Sequence, residues 1–336
     1  KIIYKMGYVL LLTMIILLIV VLYSFFVMKP IIEPMVFHSN NMKKNIYNKY
    51  NITIDENEKR LQLNNTIVSY NNNFNSPESA KLSNNKIETS KILGNSGLPV
   101  CKYVEWNNNL DDLDNLQIIN RELAFPLVIK FNWGEKGTDV FTDIINNQGI
   151  TNKINKLKRE NKKSILIEEQ TKGNKYRIMV MNDNIVYVSK DIPPRIIGNG
   201  SLTIRELIDV YPKNHNVKPI TIINEDLIRQ QGYNIDSVLE LDKEIKVSNV
   251  ISIANGGKQE YIEIYEIHPF NVIMFIQINK MLGLTFSGID YMAHDLMTPY
   301  FEDGKIIEVN PYPGFSTTEQ KNQDIADRWV GSVFGL

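Results

Sequence analysis

The hydrophobic pattern divides the chain into an apolar start, a polar stretch and a long region of mixed elements. From Gly7 to Met28 there is no charged residue, and this run of 22 residues compares with the roughly 20 that cross a bilayer core. No small-residue cleavage site follows it, as a secretory signal would require. A buried globular helix is the alternative, but the length and uniformity of the run disfavour it. The pattern predicts a transmembrane anchor in residues 1–30.

Residues 31–85 are rich in Asn, Lys and Ser and show no sustained hydrophobic period. A segment of this kind buries little apolar surface, so we interpret it as a tether or a loosely folded stalk. From Lys86 to Leu336 the composition becomes that of a globular protein. This part is long enough for one large domain or for two lobes with ample core.

Within residues 86–336, short apolar runs alternate irregularly with helical periods, and Asn182-Asp183-Asn184 is a hairpin turn between two of them. Strands are predicted at Leu127–Lys130, Ile165–Glu168, Tyr176–Met181 and Ile185–Ser189. Helices are predicted to begin at Thr142, at Thr203 with a capping box, and at Asn271. Antiparallel hairpins mixed with helices are typical of the α+β class.

The last hairpin carries candidate metal ligands. Two apolar strands, one ending at Ala293 and the other at Asn310, flank the turn signal Asp303-Gly304. Because side chains alternate along a strand, Glu308 shares a face with Asn310, and Asp290 on the partner strand can meet them. Two carboxylates and an amide oxygen suit Mg²⁺. The pattern is loose, and a half-buried hairpin with polar residues turned to solvent is the alternative.

Charge and cysteine content restrict the class of protein. A net charge of −1 predicts neither a nucleic-acid partner nor a polybasic membrane patch. The single cysteine, Cys101, excludes an internal disulfide and fits a reducing compartment. Lysines after the apolar run slightly outnumber those before it, which favours a cytosolic face for the globular part. The sequence thus predicts a single-pass membrane protein whose large domain faces the cytosol.

Several short motifs then occur in an order that is shared with one family. They are Leu98-Pro99-Val100, Phe125-Pro126-Leu127-Val128-Ile129-Lys130, Ile167-Glu168-Glu169-Gln170-Thr171-Lys172-Gly173 with Tyr176-Arg177, Ile197-Gly198-Asn199-Gly200 with Thr203-Ile204-Arg205-Glu206, Gln231-Gly232-Tyr233, Gly256-Gly257 with His268-Pro269, and the last hairpin. Together they resemble the ATP-grasp domain of cyanophycin synthetases and bifunctional glutathione synthetases. The resemblance covers residues 86–336 and implies the ATP-grasp fold, in which two α+β lobes hold ATP between them.

The resemblance also implies roles for particular residues. Mg²⁺ ligands are implied at Asp290, Glu308 and Asn310. Nucleotide contacts are implied at Lys130, at the loop residues Gly134, Lys136 and Gly137, at the adenine hinge Glu168, Glu169, Gln170 and Thr171, and at the ribose position Lys175. Arg177, Lys190 and Arg195 are candidates for a phosphate or a substrate carboxylate, because cationic side chains bind such groups. A solvated surface cation is the alternative for each of these three and for Lys130.

The chain departs from the family pattern at several of these positions. Thr138 and Asp139 replace a lysine and a glycine of the phosphate loop, so we predict that Lys136 contacts the phosphates instead. Lys175 stands where the family has an acidic residue, which puts the ribose contact in doubt. Phe131 replaces the proline that follows the strand lysine.

Two functions are consistent with these residues. The first is a membrane-tethered, ATP-dependent carboxylate–amine ligase that uses ATP and Mg²⁺, with two metal ions expected and Mn²⁺ as an alternative, on small-molecule or peptide substrates. The second is a degenerate ATP-grasp module that binds a nucleotide or peptide without turnover. The intact acidic set favours the first function, and the altered loop favours the second.

Overall fold

The structure, a computed structural model, describes residues 50–55, 60–69, 75–134, 139–215, 218–249 and 255–311, together with Pro313, Gly331 and Phe334. The predicted membrane span at Gly7–Met28 lies outside these residues. Among the helices that are described, none combines the length and the apolar character needed to cross a bilayer.

The described part contains fourteen strands and seven α-helices. The strands are β1 (Thr53–Asp55), β2 (Arg60–Leu63), β3 (Thr66–Ser69), β4 (Tyr103–Glu105), β5 (Leu127–Phe131), β6 (Val140–Ile144), β7 (Ile165–Glu169), β8 (Asn174–Met181), β9 (Asn184–Ile192), β10 (Arg195–Ile197), β11 (Glu244–Lys246), β12 (Lys258–Tyr261), β13 (Phe286–Ala293) and β14 (Lys305–Asn310). The helices are α1 (Pro77–Asn84), α2 (Lys86–Asn95), α3 (Asp112–Glu122), α4 (Asn147–Arg159), α5 (Ile204–His215), α6 (Glu225–Gln230) and α7 (Pro269–Leu282), with a 3₁₀ turn at Ile264–Glu266.

A five-stranded antiparallel sheet in the order β12-β9-β8-β13-β14 forms one lobe. One face of the sheet packs on α7, where Met274, Phe275 and Ile278 are fully buried. Strand β13 contributes Ile289 and Tyr291 to this core, so its alternate residues, including Asp290, lie on the other face. The α7 helix begins at Pro269 and ends at Leu282, and Gly283, which follows it, has the left-handed conformation of a helix C-cap.

A four-stranded sheet in the order β4-β7-β5-β6 forms the second lobe, with helix α4 against it. Ile150, Ile154 and Leu157 recur at helical spacing along α4 and are fully buried in this core. The side chain of Asn146 caps the helix by accepting a hydrogen bond from the Gly149 N–H. A third cluster of apolar residues unites the small β10-β11 sheet with α5 and α6.

Two expectations about local structure need correction. The helix predicted to begin at Thr142 begins at Asn147 instead, because Val140–Ile144 pairs with β5 as an edge strand. The tether predicted for residues 31–85 is wrong for its last part, since Asn75 binds β13 through its side chain and Ser83 donates to the Val309 carbonyl at 2.6 Å. The α+β class predicted from the sequence agrees with this architecture.

Candidate active site

The polar face of the five-stranded sheet places two predicted metal ligands directly opposite each other. Asp290 on β13 pairs in register with Glu308 on β14, and Gly288 pairs with Asn310. Side chains at paired positions of neighbouring strands share a face and lie within reach of one another. Asp290 is almost completely buried, whereas about a quarter of the Glu308 side chain is exposed. The sequence therefore predicted the placement of this pair correctly.

Two cations of strand β8 neutralise Asp290. Lys175 Nζ lies 3.0 Å from Asp290 Oδ2, and Arg177 Nε lies 2.6 Å from Oδ1, an ion pair without hydrogen-bond alignment. Lys175 also lies 3.4 Å from Asp191 on β9. Burial alone would raise the pKa of Asp290, but Arg177 and Lys175 outweigh it and lower the pKa below its usual value. The site thus holds a buried carboxylate in its charged form.

Glu308 is bound by a lysine to which the sequence analysis assigned no role. Lys86 Nζ lies 3.0 Å from Glu308 Oε1 and donates to the carbonyl of Gly134 at 2.6 Å and to that of Asn132 at 3.3 Å. Lys86 therefore connects the polar face of one lobe with the start of the predicted phosphate loop in the other. One signal could have revealed it: Lys86 is the first residue of α2, where the helix dipole disfavours a cation.

Lys130 forms a buried ion pair with Glu168 across strands β5 and β7. Burial tends to lower the pKa of Lys130, but the charge of Glu168 outweighs this effect and raises it, so the ammonium stays charged. Cys101 lies beside this pair. Burial, with a smaller contribution from Glu168, raises the pKa of its thiol to about 11. The thiol is therefore neutral at physiological pH and is not an activated nucleophile.

The side chains of the predicted adenine hinge are engaged within the protein. Glu169 Oε1 accepts a hydrogen bond from the Ala124 N–H at 2.9 Å, and the Gln170 side chain binds Asp143. The Thr171 hydroxyl lies 3.2 Å from Cys101 Sγ. The side chains of Glu169, Gln170 and Thr171 are thus held by other residues of the protein.

The remaining predicted residues have different placements. Lys190 pairs in register with Tyr176, on the opposite face of the sheet from Arg177 and Asp290, so the structure does not bring it to this site. Arg195 forms an ion pair with Glu244 on the small β10-β11 sheet. Lys136 and Gly137 lie outside the described residues.

The donor atoms present at this face fit a hard divalent cation. Asp290 and Glu308 offer carboxylate oxygens from adjacent strands, and Asn310 lies two residues from Glu308 on the same face. Within the ranges that the structure describes, no group of three or more His, Cys, Asp or Glu residues forms a metal site. A metal held here would therefore take its remaining ligands from an amide, water or phosphate oxygen, as Mg²⁺ commonly does.

The two lobes have the ATP-grasp fold. The structure of a bifunctional glutathione synthetase from Pasteurella multocida matches 89% of this chain and 44% of that one, with a TM-score of 0.58 and 21% sequence identity. The match establishes the fold of the two lobes. The resemblance drawn from the motifs is thus confirmed: the chain has the ATP-grasp fold, and its sequence is similar to those of cyanophycin synthetase and a bifunctional glutathione biosynthesis protein.

Sequence relatives narrow the similarity further. Cyanophycin synthetase from Synechocystis sp. is 30% identical over 247 residues, which are 70% of this chain and 28% of that protein. The glutathione biosynthesis bifunctional protein GshAB of Mannheimia succiniciproducens is 23% identical over 228 residues, 64% of this chain and 30% of that protein. No protein-family model matches the chain. The chain thus spans less than a third of the length of these two relatives. The names of both relatives refer to synthesis, and the prediction of an ATP-grasp ligase agrees with these names.

Proposed function

We propose that the chain is an ATP-dependent ligase that joins a carboxylate to an amine through an acyl phosphate. The observation that carries the proposal is the pairing of Asp290 with Glu308 on the polar face of the sheet, within a fold shared with synthetases. Lys86 links Glu308 to the start of the predicted phosphate loop. Charged side chains that could position a polyphosphate therefore lie where the two lobes meet.

The reaction proceeds in two displacements. A carboxylate oxygen of the first substrate attacks the γ-phosphorus of ATP, the bond from that phosphorus to the bridging oxygen breaks, and ADP leaves. The amine of the second substrate then attacks the acyl carbon, phosphate leaves, and the nitrogen loses a proton. Such transfers depend on in-line positioning and charge neutralisation more than on covalent help from the protein.

Each charged side chain of the site has a role in this scheme. Lys130 and Lys136 would contact the phosphates of ATP, and Arg177 would bind a phosphate or the substrate carboxylate as a fork of donors. Lys86 would hold Glu308 beside the start of the phosphate loop. Asp290, Glu308 and Asn310 would hold Mg²⁺, in one or two copies, which would neutralise the negative charge on the transferred phosphoryl group. Lys175, already bound to Asp191 and Asp290, would set the charge of the cluster and need not touch the ribose.

A second candidate function is favoured by one observation. Both carboxylates are already paired with cations of the chain, Asp290 with Lys175 and Arg177, and Glu308 with Lys86. A module that needed these pairs only for stability would bind a nucleotide or peptide without turnover. The altered phosphate loop agrees with this alternative.

A substrate screen separates the two candidates. The chain, purified in detergent, would be incubated with ATP, Mg²⁺ and pairs of amino acids or short peptides, and ADP release would be followed together with the mass of new products. The ligase is supported by ADP release that requires both substrates and yields a condensed product. ATP binding by calorimetry without ADP release for any pair would support the second candidate.

The anchor completes the proposal. The uncharged run at Gly7–Met28 would hold the chain in a membrane as a single-pass protein, and the lysines that follow it would keep the ligase on the cytosolic side, where ATP is available.

A further inference from the structure

An unexpected polar cluster lies behind the predicted adenine hinge, around Asp143 of edge strand β6. The Asp143 backbone N–H donates to Gln170 Oε1 at 2.7 Å, and Gln170 Nε2 donates back to Asp143 Oδ1 at 2.9 Å. The other carboxylate oxygen accepts from the Thr142 hydroxyl at 2.7 Å and from Asn249 Nδ2 at 2.7 Å. One acidic side chain thus ties the hinge to β6 and to a segment that follows the β10-β11 sheet.

The backbone at Asp143 has a conformation that depends on the residue type. Its φ is +58°, in the left-handed region that Asp and Asn occupy more readily than other residues with a side chain. The contacts of the Asp143 side chain favour this conformation further. Burial would raise the pKa of Asp143, but hydrogen bonds from Gln170, Thr142 and Asn249 outweigh it and lower the pKa, so the side chain is a charged acceptor. Four hydrogen bonds therefore hold this conformation in place.

The hydrogen-bonded cluster around Asp143, here called the clamp, affects base recognition because it holds the hinge residue Gln170. The side chains of Glu168, Glu169 and Thr171 are all engaged with other parts of the protein, as is that of Gln170. The backbone N–H groups of Glu169 and Gln170 donate to the carbonyls of Lys102 and Pro126, so an adenine at the hinge would be read mainly by the backbone donors and acceptors that remain. Adenine presents an amino donor where guanine presents a carbonyl acceptor. A small displacement of the hinge backbone would therefore weaken the discrimination between the two bases.

We propose that Asp143 is a positioning residue that fixes the hinge for adenine and so sets the preference for ATP over GTP. The proposal rests on the proposed function only in that ATP binds at the hinge, and it requires no turnover. Asp143 would thus help to determine nucleotide specificity without contacting the base or the phosphates.

Asp143→Asn is the decisive variant, because Asn keeps the size of the side chain and tolerates the left-handed backbone. The neutral amide would face donors from Gln170, Thr142 and Asn249. We expect the dissociation constant for ATP, measured by calorimetry on the whole chain, to rise about tenfold, and the preference for ATP over GTP to fall by a similar factor.

A reciprocal variant and a matched control make the test specific. In Asp143→Asn with Gln170→Glu, the new amide can donate to the new carboxylate, so most of the lost preference should return. Asp183→Asn makes the same change at another left-handed aspartate, φ +59°, in the exposed turn between β8 and β9, and should leave the preference unchanged.

Three results would overturn the inference. An unchanged ATP-to-GTP preference in Asp143→Asn, with or without a lower melting temperature, would make the clamp purely structural. A double variant that stays as impaired as the single one would show that the reciprocal pair is not the cause. A parent chain that fails to bind ATP would overturn the proposed function as well, which distinguishes the two failures.

Discussion

At the scale of single residues, the candidate site is organised by charges that are already paired within the protein. Lys130 and Glu168 are buried together, whereas the buried Asp290 is paired with two partly exposed cations, Lys175 and Arg177. A buried ion without a partner would cost several kcal/mol to desolvate. Lys86 extends the pattern to Glu308. In the proposed function, a site built this way would receive a polyphosphate without first gathering charge from solvent.

Replacing Glu308 with Gln tests the metal-binding role at this scale. The amide keeps the size of the side chain and can still accept a hydrogen bond from Lys86, so we expect the melting temperature to change little. Loss of an anionic ligand should lower Mg²⁺-dependent ADP release by about two orders of magnitude or more. Glu302→Gln, at an exposed position of the same hairpin, is the control and should behave like the parent. A Glu308→Gln chain with the parental response to Mg²⁺ would contradict the assignment.

The thiol of Cys101 gives a prediction about pH. Its pKa is raised to about 11 from an ordinary 9.0, so its contribution to stability is fully present below pH 9 and is lost as the pH rises towards 11. The thiolate is the reactive form, so alkylation of the folded chain by iodoacetamide should be slow at pH 8 and rise about tenfold per pH unit. Cys101→Ser should abolish labelling, because the chain has one cysteine. Labelling at pH 8 at the rate of a free thiol would contradict the predicted burial.

At the scale of elements, the sequence was most informative where one face of a strand is buried. Alternation along β13 and β14 was sufficient to place Asp290 and Glu308 on the same face of the sheet, because a shift by one residue would expose Ile289 and Val309. The sequence pattern placed the start of helix α4 wrongly, at Thr142. The spacing of Ile150, Ile154 and Leu157 marks a helix correctly but does not fix its start, and the pairing of β6 with β5 decides that boundary.

The same hairpin gives a prediction at the element scale, because its turn depends on Gly304. Gly304 has a φ of +115°, and an added Cβ would overlap the hydroxyl of Tyr291, which is fully buried and donates to the Asp303 carbonyl. Gly304→Ala should therefore lower the free energy of unfolding by roughly 3 kcal/mol, from backbone strain and overpacking together.

The matched control for that turn is Gly232→Ala. Gly232 also has a positive φ, +90°, but nothing lies within 4 Å of an added Cβ. Gly232→Ala should therefore lower the free energy of unfolding by only about 1 kcal/mol, from backbone strain alone. Urea unfolding of both variants measures the difference. Equal losses in the two would show that the contact with Tyr291 does not constrain the hairpin.

At the scale of the whole molecule, contacts between distant segments explain what the sequence could not predict. Asn75 lies in a stretch whose composition suggested a tether, yet its side chain binds both Phe286 and Pro311, more than 200 residues away. Lys86 likewise joins the two lobes through Glu308 and Gly134. Local composition and period carry no information about such partners. The two lobes and the shared face of Asp290 and Glu308 were predictable, whereas the residues that bring the lobes together were not.

The last prediction concerns the placement of the whole molecule at a membrane. If Gly7–Met28 is a transmembrane anchor, the chain should sediment with membranes and resist extraction by carbonate, and a variant lacking residues 7–28 should be released into the supernatant. In sealed vesicles with the cytosolic face outward, added protease should digest the large domain, because the lysines after the span favour that side. Vesicles of the opposite orientation are the control and should protect it. Protection in cytosol-outward vesicles would contradict the proposed topology, and it would separate the domain from its supply of ATP.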